Sequence, residues 1–400
     1  MPDPVPQRTQ VAIVGAGPAG LVLAQLLARH GIESVVLEAE SRAYVEGRIR
    51  AGVLEQGTAD LLVDLGAGAR MQREGQRHGG IELRFDRRSH RIDLHGLTGG
   101  RAITVYGQQE VVKDLIAARL AGSGRILFEA EAVGLENLDS ERPAVRLRHG
   151  GVERTLAADI IAGCDGFHGI CRGAIPRGRL RVFERGFPFA WLGILAEAPP
   201  TAAELVYVNH ERGFALHSMR SPALSRLYVQ CSPTDAVADW PDNRVWAELR
   251  TRSAIAGPWQ VNEGPVLEKV IAGMRSFVVE PMQYGRLYLA GDAAHIVPAT
   301  GAKGLNLAVA DVCVLARALV AFFGAGDPAP LERYSATCLE RVWRAQRFSS
   351  WMTGLLHRFE DGDSGFAYKL QLAELDYVTR SAAAATTLAE NYVGFPLPEV

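Results

Sequence analysis

Hydrophobic residues near the amino terminus follow the pattern of a strand, a glycine-rich turn and a helix. The apolar run 11–14 leads into the turn 15–20, which has the spacing G-x-G-x-x-G, and an amphipathic stretch follows at 21–30. A second apolar run, 34–37, is followed directly by Glu38. Short apolar runs on either side of a helical period predict a βαβ unit at the start of the fold.

The pattern then alternates between strand-like and helix-like periods. A loop with arginine at 48 and 50 precedes a helix at 54–65, antiparallel strands at 80–105 and a helix at 108–120. A second sheet is predicted from strands at 189–195, 204–208, 213–218 and 226–230. An apolar strand at 286–290, a long apolar helix at 305–323 and a charged helical region at 331–356 follow. This mixture predicts an α/β fold, α+β overall, with two sheets.

Size and charge limit the classes of partner. A chain of 400 residues with 48% hydrophobic content can bury a large core and is expected to form two or three domains. The net charge is -2, and Lys and Arg are interspersed with acidic residues. We therefore expect no nucleic-acid partner.

The cysteines and the apolar runs predict a cytoplasmic protein. The five cysteines, at 164, 171, 231, 313 and 338, form no close pair and no zinc-binding spacing, so reduced thiols and no metal are expected. The proline-rich start at 2–7 is not a secretion signal. The longest apolar run, near 315–323, is interrupted by Arg317 and is by itself too short to span a bilayer, so no membrane partner is expected.

Three glycine-bearing segments together predict an FAD site. In the first, Gly15 permits a tight turn, Gly17 lets backbone amides approach a pyrophosphate, and Gly20 allows the helix to pack on the sheet. Glu38 is placed to accept hydrogen bonds from the adenosine ribose. The other segments are 163–166 and 291–295. An ordinary glycine-rich βα turn is the alternative, but it leaves Glu38 unexplained.

The third segment leads into a helix amino terminus that is predicted to bind the flavin. Asp292 follows an apolar strand, where its carboxylate can hydrogen-bond a ribityl hydroxyl. The residues 298–306 then lead into the long apolar helix, whose first amides point outward. A helix amino terminus carries roughly half a positive charge and stabilises the anionic edge of a reduced flavin.

Six segments resemble the flavoprotein aromatic hydroxylases of the glutathione-reductase-like FAD class. They are 47–56, 104–108, 161–169, 275–282, 291–306 and 389–394, and they span nearly the whole chain in order. The resemblance implies an FAD-binding domain of the Rossmann type from 1–78, 104–186 and 273–325. It also implies a mostly antiparallel substrate-binding sheet domain from 79–103 and 187–272, and a C-terminal helical region, 326–400, that helps to form a homodimer.

The resemblance also implies which residues bind the cofactors. The expected non-covalent FAD contacts are Gly15, Gly17, Ala19, Gly20, Glu38, Arg48, Arg50, Gln108, Asp165, Arg226, Asp292, Gly301, Leu305 and Asn306. NADH or NADPH is expected to contact Arg42, Tyr44, Arg50, His168 and Arg275. Without the resemblance, isolated arginines such as these are typical of a solvated surface.

A carboxylate-binding group is predicted in the second sheet. Ser218 and Arg220 are two residues apart and so lie on one face of a strand. Together with Tyr207 and Tyr228 they suit a carboxylate, although a surface arginine on an edge strand has the same local pattern. The resemblance favours the carboxylate clamp. His217 lies between Leu216 and Ser218 and is expected on the opposite face, as a packing or solvent residue.

The resemblance implies hydroxylation of 4-hydroxybenzoate at C3 by a flavin hydroperoxide formed from O2. The phenolate is the reactive form of the substrate, and the resemblance assigns its formation to Tyr207, Tyr392 and His78. Read alone, His78 is typical of an exposed loop. Ala299, where the family has a proline, retains a carbonyl for the substrate hydroxyl. The alternatives are another para-substituted benzoate, such as 3,4-dihydroxybenzoate or 4-aminobenzoate, and a non-catalytic FAD-fold binding module.

One departure from the family pattern affects the choice of nicotinamide nucleotide. Ala39 and Glu40 stand where members that use NADPH have an arginine and a glutamine. A carboxylate in place of a cation weakens binding of a 2′-phosphate, unless Arg42 compensates. We therefore expect NADH to reduce the flavin at least comparably to NADPH.

Overall fold

The computed structural model describes residues 4–48, 52–359 and 365–400. In these residues the strands are β1 (Arg8–Val14), β2 (Ser34–Leu37), β3 (Val53–Glu55), β4 (Gln76–His78), β5 (Ile81–Phe85), β6 (Arg88–Ile92), β7 (Ile103–Val105), β8 (Arg125–Leu127), β9 (Ala130–Glu136), β10 (Ala144–His149), β11 (Val152–Gly163), β12 (Arg181–Ala196), β13 (Val206–Val208), β14 (Ala215–Ser221), β15 (Leu224–Cys231), β16 (Val266–Glu280), β17 (Gln283–Tyr284), β18 (Leu287–Leu289) and β19 (His295–Ile296). The α-helices are α1 (Pro18–Arg29), α2 (Arg42–Gly47), α3 (Gln56–Asp64), α4 (Ala69–Glu74), α5 (Leu94–Leu97), α6 (Gln108–Ala121), α7 (Asp242–Ser253), α8 (Gly304–Ala325), α9 (Ala329–Glu332), α10 (Tyr334–Leu356), α11 (Phe366–Arg380) and α12 (Ala382–Val393).

The first sheet has a parallel centre in the order β18-β11-β1-β2-β8. Its central strand β1 is apolar and almost wholly buried from Val11 to Val14, because helices cover it. Helix α1 packs against α8 and α6. The predicted βαβ unit is confirmed, and the predicted α/β class is confirmed with it.

The second sheet has the order β19-β16-β12-β15-β14-β13-β5-β6 and is antiparallel except for the β13–β5 pair. One face shares an apolar cluster with α10, α11 and α12, and the other face packs on α7. The four strands predicted from 189 to 230 are all present. Strands β5 and β6 join this sheet from the segment 80–105, where antiparallel strands were predicted.

The two longest strands cross the predicted domain boundaries. Strand β12 begins before residue 187, and β16 continues past residue 273. They pair with each other along both parts, with a shift in register between Gly186 and Ala190. The division into three regions therefore stays a prediction, and two of its boundaries fall inside continuous strands.

Helix α8 forms part of the core. It has 22 residues, lies within two residues of the predicted bounds 305–323 at each end, and by length and composition could cross a membrane. Inside the protein it packs on α1 and α10, and 61% of its most apolar window is buried. All five cysteines are free and buried.

Candidate active site

The glycine turn after β1 has the backbone that a bound pyrophosphate needs. Gly15 has φ +106°, and a Cβ there would clash with the Cys164 carbonyl. A Cβ on Gly20 would clash with the Gly15 carbonyl, so α1 lies directly against the turn. Gly17 caps α1 without a side-chain hydrogen bond and has open space at its Cβ position. The first amides of α1 therefore face an open cradle that suits a phosphate.

The acidic residue after β2 lies over the same turn. The Glu38 carboxylate accepts hydrogen bonds from the backbone N–H of Ala16 at 2.8 Å and of Glu40 at 3.0 Å. Ala19 is buried on α1 and faces Gly291. The first and third glycine segments are thus brought together, as predicted.

Asp165 lies two residues after the end of β11, beside this turn. One carboxylate oxygen accepts from the Cys171 N–H at 2.8 Å, and the other is buried without a partner in the described residues. Burial raises the pKa of Asp165, and the backbone N–H of Cys171 opposes the shift. A buried oxygen without a partner, beside an open glycine cradle, fits a bound cofactor that donates to it.

The loop before α8 presents a second helix amino terminus. Residues Ala299–Gly301 form a 3-10 turn, and Ala302 follows with φ +53°. Lys303 caps α8 without a side-chain hydrogen bond, which leaves the N–H groups of its first turn, including Leu305, for a ligand. The Asn306 side chain is occupied, since it accepts from Glu55 N–H and donates to the carbonyls of Val53 and Ala302.

The remaining predicted FAD residues are spread around these two helix ends. Gln108 is half-buried as the first residue of α6, and Asp292 is exposed in the 3-10 turn Gly291–Ala293. Arg48 is exposed, with its guanidinium 6.0 Å from the Tyr44 ring centre. Arg226 is buried and pairs with Glu268 at 3.3 Å. Arg50 lies outside the described residues.

The predicted carboxylate clamp lies on one face of the second sheet. Ser218 is opposite Arg226 in the β14–β15 pair, and Tyr228 is opposite Leu216, which in turn is opposite Tyr207. The Arg220 guanidinium donates to Ser218 Oγ at 3.2 Å and to the Met219 carbonyl at 2.9 Å. Its Nε has no partner in the described residues. Burial lowers the pKa of Arg220, and the neighbouring Tyr228 opposes the shift.

Two buried tyrosines meet at the other end of this face. The hydroxyl oxygens of Tyr207 and Tyr392 are 2.5 Å apart, although the residues are 185 positions apart in the chain. Burial raises the pKa of both phenols, so both stay protonated at neutral pH.

His78 is a core residue, so its interpretation as an exposed loop histidine was wrong. It ends β4 and is 1% exposed. Burial lowers its pKa to about 4, and Glu204 partly opposes the shift. Neither ring nitrogen has a partner in the described residues. With this lowered pKa the imidazole is neutral at neutral pH and is a weaker base than a free histidine.

The predicted nicotinamide residues fall into two groups. His168 and Arg275 share Phe167, which is 5.1 Å from the histidine ring and 4.4 Å from the guanidinium. Arg42 and Tyr44 lie on α2, a helix where a loop was predicted, and Ser41 caps it by accepting from Tyr44 N–H. Arg42 is paired with Glu46 on the same helix at 2.6 Å.

Sequence reasoning missed two buried ion pairs that hold the site together. Lys303 donates to Glu55 at 2.7 Å and to the Tyr392 carbonyl at 2.9 Å, which joins the α8 loop to α12. His295 and Asp311 are 2.6 Å apart, and Asp311 also accepts from Gly291 N–H. Burial acts to lower the pKa of His295, but Asp311 outweighs it and raises the pKa. The sequence feature that could have indicated the first pair is Lys303, a single lysine directly before the apolar helix α8.

The glycine cradle, the two helix ends and the clamp define an FAD-dependent aromatic hydroxylase. The chain belongs to the family described as FAD binding domain, which matches residues 8–349. It is 49% identical to the p-hydroxybenzoate hydroxylase of Acinetobacter baylyi, over 97% of this chain and 96% of that protein. The predictions of FAD as cofactor and of flavin-dependent monooxygenase activity are confirmed.

More distant relatives agree with this class. The chain is 28% identical to a 3-amino-4-hydroxybenzoate 2-monooxygenase of Streptomyces platensis, over 86% of this chain and 87% of that one. The crystal structure of p-nitrophenol 4-monooxygenase PnpA from Pseudomonas putida DLL-E4 has a TM-score of 0.84 at 19% identity, and the match covers 97% and 99% of the two chains. At that identity the likeness concerns the fold alone.

Proposed function

We propose that this enzyme hydroxylates 4-hydroxybenzoate at C3, to form 3,4-dihydroxybenzoate, with FAD, O2 and NADH or NADPH. The observation that carries the proposal is the shared sheet face of Arg220 and Tyr207, which offers a cation for a carboxylate and a hydroxyl for a para oxygen. The two relatives above, one at 49% and one at 28% identity, are both named for 4-hydroxybenzoates.

The clamp is proposed to hold the substrate carboxylate. The Arg220 guanidinium, the Ser218 hydroxyl and the Tyr228 hydroxyl are the donors for it. Charge-assisted hydrogen bonds of this kind contribute about 1.5–3 kcal/mol each at a dry site. The Ala299 carbonyl is proposed to accept from the substrate hydroxyl at the opposite end.

Tyr207 is proposed to stabilise the phenolate form of the substrate. A phenol with pKa near 10 needs a downward shift of roughly 2–3 units to ionise freely at pH 7–8. Tyr207 can donate to the phenolate oxygen while Tyr392 donates to Tyr207, because both tyrosines stay protonated. His78 is the proposed terminal acceptor of the proton.

The residues around the two helix ends are proposed to hold FAD. Gly15, Gly17 and the first turn of α1 would bind the pyrophosphate, Glu38 the ribose, and the α8 amino terminus the flavin ring. When bound, FAD takes a hydride from the nicotinamide and activates O2. Phe167, His168 and Arg275 are proposed to receive the nicotinamide nucleotide, with Arg42 and Tyr44 near its adenosine end.

A homodimer in the cytoplasm is proposed as the working form. Helix α11 supports it, because Phe366, Leu370 and Tyr377 are 57% to 65% exposed at helical spacing. An apolar stripe of this kind suits a second copy of the same chain. In sedimentation analysis, Leu370→Glu should lower the apparent mass, whereas Val152→Glu, at an exposed site on the other sheet, should not. An unchanged mass for Leu370→Glu would remove α11 from the interface.

One assay tests the proposed activity. NADH and NADPH oxidation is measured without an aromatic compound and with 4-hydroxybenzoate, 4-aminobenzoate or 3,4-dihydroxybenzoate, and the aromatic product is identified. Stimulated oxidation with 3,4-dihydroxybenzoate as product supports the proposal. Turnover only with 4-aminobenzoate or 3,4-dihydroxybenzoate as substrate shows a hydroxylase of another benzoate. No stimulation by any benzoate favours a non-catalytic binding module.

A further inference from the structure

Helix α10 touches both ends of the proposed substrate site. Toward the flavin side it contacts the Ala299–Gly301 turn: a Cβ on Gly301 would clash with Ser349, and the hydroxyl oxygens of Thr300 and Thr353 are 2.9 Å apart. Toward the substrate sheet, its capping residue His357 lies 2.7 Å from the Trp191 indole nitrogen. These contacts are direct and lie within two turns of one helix, which makes the connection short and rigid.

The hydrogen bonds of His357 determine its tautomer. The Trp191 indole N–H can only donate, so Nε2 of His357 accepts. Nδ1 therefore carries the proton and donates to the Thr353 carbonyl at 3.1 Å. Burial lowers the pKa of His357 to about 3, which keeps the ring neutral at working pH. Both ring nitrogens are thus satisfied in a fully buried position.

Trp191 links His357 to the residues that are proposed to bind the substrate. Its ring is stacked on Phe214 and its centre is 5.0 Å from the Tyr228 ring centre. Phe214 is 6.3 Å from Tyr207, and its ring is stacked on His357 at 4.3 Å. The same aromatic stack therefore backs both a carboxylate-binding tyrosine and the tyrosine proposed to bind the phenolate.

We propose that His357 is a positioning residue for the hydroxylation, an inference that rests on the proposed function. Through Trp191 and Thr353 it holds the substrate sheet at a set distance from the Ala299–Gly301 turn. That distance has to match the length of a para-hydroxybenzoate, with its carboxylate in the clamp and its hydroxyl at the turn. Small displacements of bound substrate strongly reduce the efficiency of a positioned reaction.

A role in packing alone would need only the shape of these rings. The buried polar atoms here are matched in pairs, and removal of one partner leaves the other unsatisfied. Trp191→Phe keeps a six-membered aromatic ring and removes the five-membered ring that carries the N–H donor. Trp351→Phe is a matched control, since Trp351 also lies on α10 but its indole donates to Glu374 of α11 at an exposed position.

The test compares Trp191→Phe, His357→Leu, His357→Gln and Trp351→Phe as FAD-loaded enzymes. The dissociation constant of 4-hydroxybenzoate is measured by its effect on flavin absorbance, and product per NADH consumed is measured separately. We expect Trp191→Phe and His357→Leu to lower product per NADH by about threefold or more, with NADH oxidation changed by less than about twofold. His357→Gln, whose amide oxygen can still accept from Trp191, should recover part of the yield.

A binding measurement adds a readout that does not depend on turnover. Trp191 and Thr353 belong to the same connection through His357. In a double-mutant cycle, the effects of Trp191→Phe and Thr353→Val on the dissociation constant should therefore be non-additive. Unchanged yield in Trp191→Phe and additive effects on binding would overturn the inference while leaving the proposed function intact. Loss of yield in Trp351→Phe equal to that in Trp191→Phe would also overturn it. A wild-type enzyme that forms no hydroxylated product would reject both proposals.

Discussion

Arg220 combines partial burial with an unused donor. Its Nη1 is held by Ser218 and the Met219 carbonyl, while its Nε has no partner in the described residues. A guanidinium held in this way presents a planar edge with fixed geometry to an anion. The residue is therefore prepared for a carboxylate before the substrate arrives.

Arg220→Lys is expected to weaken 4-hydroxybenzoate binding roughly 10- to 100-fold, because a point ammonium cannot reproduce two parallel hydrogen bonds. The dissociation constant is measured by titration of the flavin absorbance. Arg250→Lys is the control, since Arg250 lies on α7, on the other face of the sheet, and pairs with Glu263. Equal affinities in wild type and Arg220→Lys would remove Arg220 from the site.

Tyr207→Phe is expected to leave FAD and substrate bound but to slow or uncouple hydroxylation. The substrate phenolate loses its hydrogen bond, and the tyrosine pair with Tyr392 is broken. Product per NAD(P)H consumed is the measurement, with Tyr284→Phe as control because its hydroxyl contacts Asp139 at the surface. A normal yield in Tyr207→Phe would contradict its role.

The two-residue period of a strand correctly predicted that Ser218 and Arg220 lie on one face of the sheet and His217 on the other. His217 packs behind the sheet, where it is 2.7 Å from the Ser253 hydroxyl. The burial of His78 and the contact between Trp191 and His357 were not predictable, because they depend on residues far away in the sequence. Periodicity reports which face a residue occupies, and it contains no information about what covers that face.

Among the elements, helix α2 affects which nicotinamide nucleotide is preferred, because it places an acidic residue next to Arg42. A loop was predicted where Ser41 caps a short helix, and this helix brings Glu46 one turn from Arg42. The pair is an exposed i,i+4 contact, so it is weak and can be exchanged for a phosphate. Even so, Glu46 competes with the 2′-phosphate for Arg42, and Glu40 adds a second negative charge nearby.

NADH is therefore expected to reduce the flavin at least as well as NADPH. Stopped-flow reduction with both nucleotides at matched ionic strength is the measurement. Glu46→Gln should shift the preference toward NADPH by a few-fold, because it frees Arg42 for the 2′-phosphate. A tenfold or greater advantage for NADPH in the wild type would mean that Arg42 or another cation replaces the missing arginine.

The elements that were well predicted are those with a strong local signal. Strand β2 matches its prediction at both ends, and α6 and α8 are within two residues of theirs. Strand β12 exceeds its predicted bounds of 189–195, and β16 was not predicted as a strand, because the pairing of the two strands extends both past their apolar centres. Tertiary contacts set those ends, so the predicted domain boundaries fell inside the strands.

At the scale of the whole molecule, several buried histidines make stability depend on pH. Burial lowers the pKa of His78 to about 4 and those of His217 and His357 to about 3. The unfolded chain binds protons at these residues as the pH falls through about 6.5, whereas the folded chain does so only near 3–4. His295 acts in the opposite direction, because its pKa is raised.

The free energy of unfolding is therefore expected to fall as the pH is lowered from about 6.5 toward 4. Thermal unfolding at pH 7.5 and 5.0 measures the change. His217→Gln, behind the sheet and away from the site, should reduce the difference between the two midpoints. Equal midpoints at both pH values in the wild type would contradict the burial of neutral histidines.

In the proposed reaction, O2 supplies the new hydroxyl group of 4-hydroxybenzoate. The most direct test is turnover of 4-hydroxybenzoate with NADH under isotopically labelled O2, followed by mass spectrometry of the product. We expect 3,4-dihydroxybenzoate with one labelled oxygen, formed only when substrate and FAD are both present. NADH consumption that yields only hydrogen peroxide, or a product without label, would contradict it.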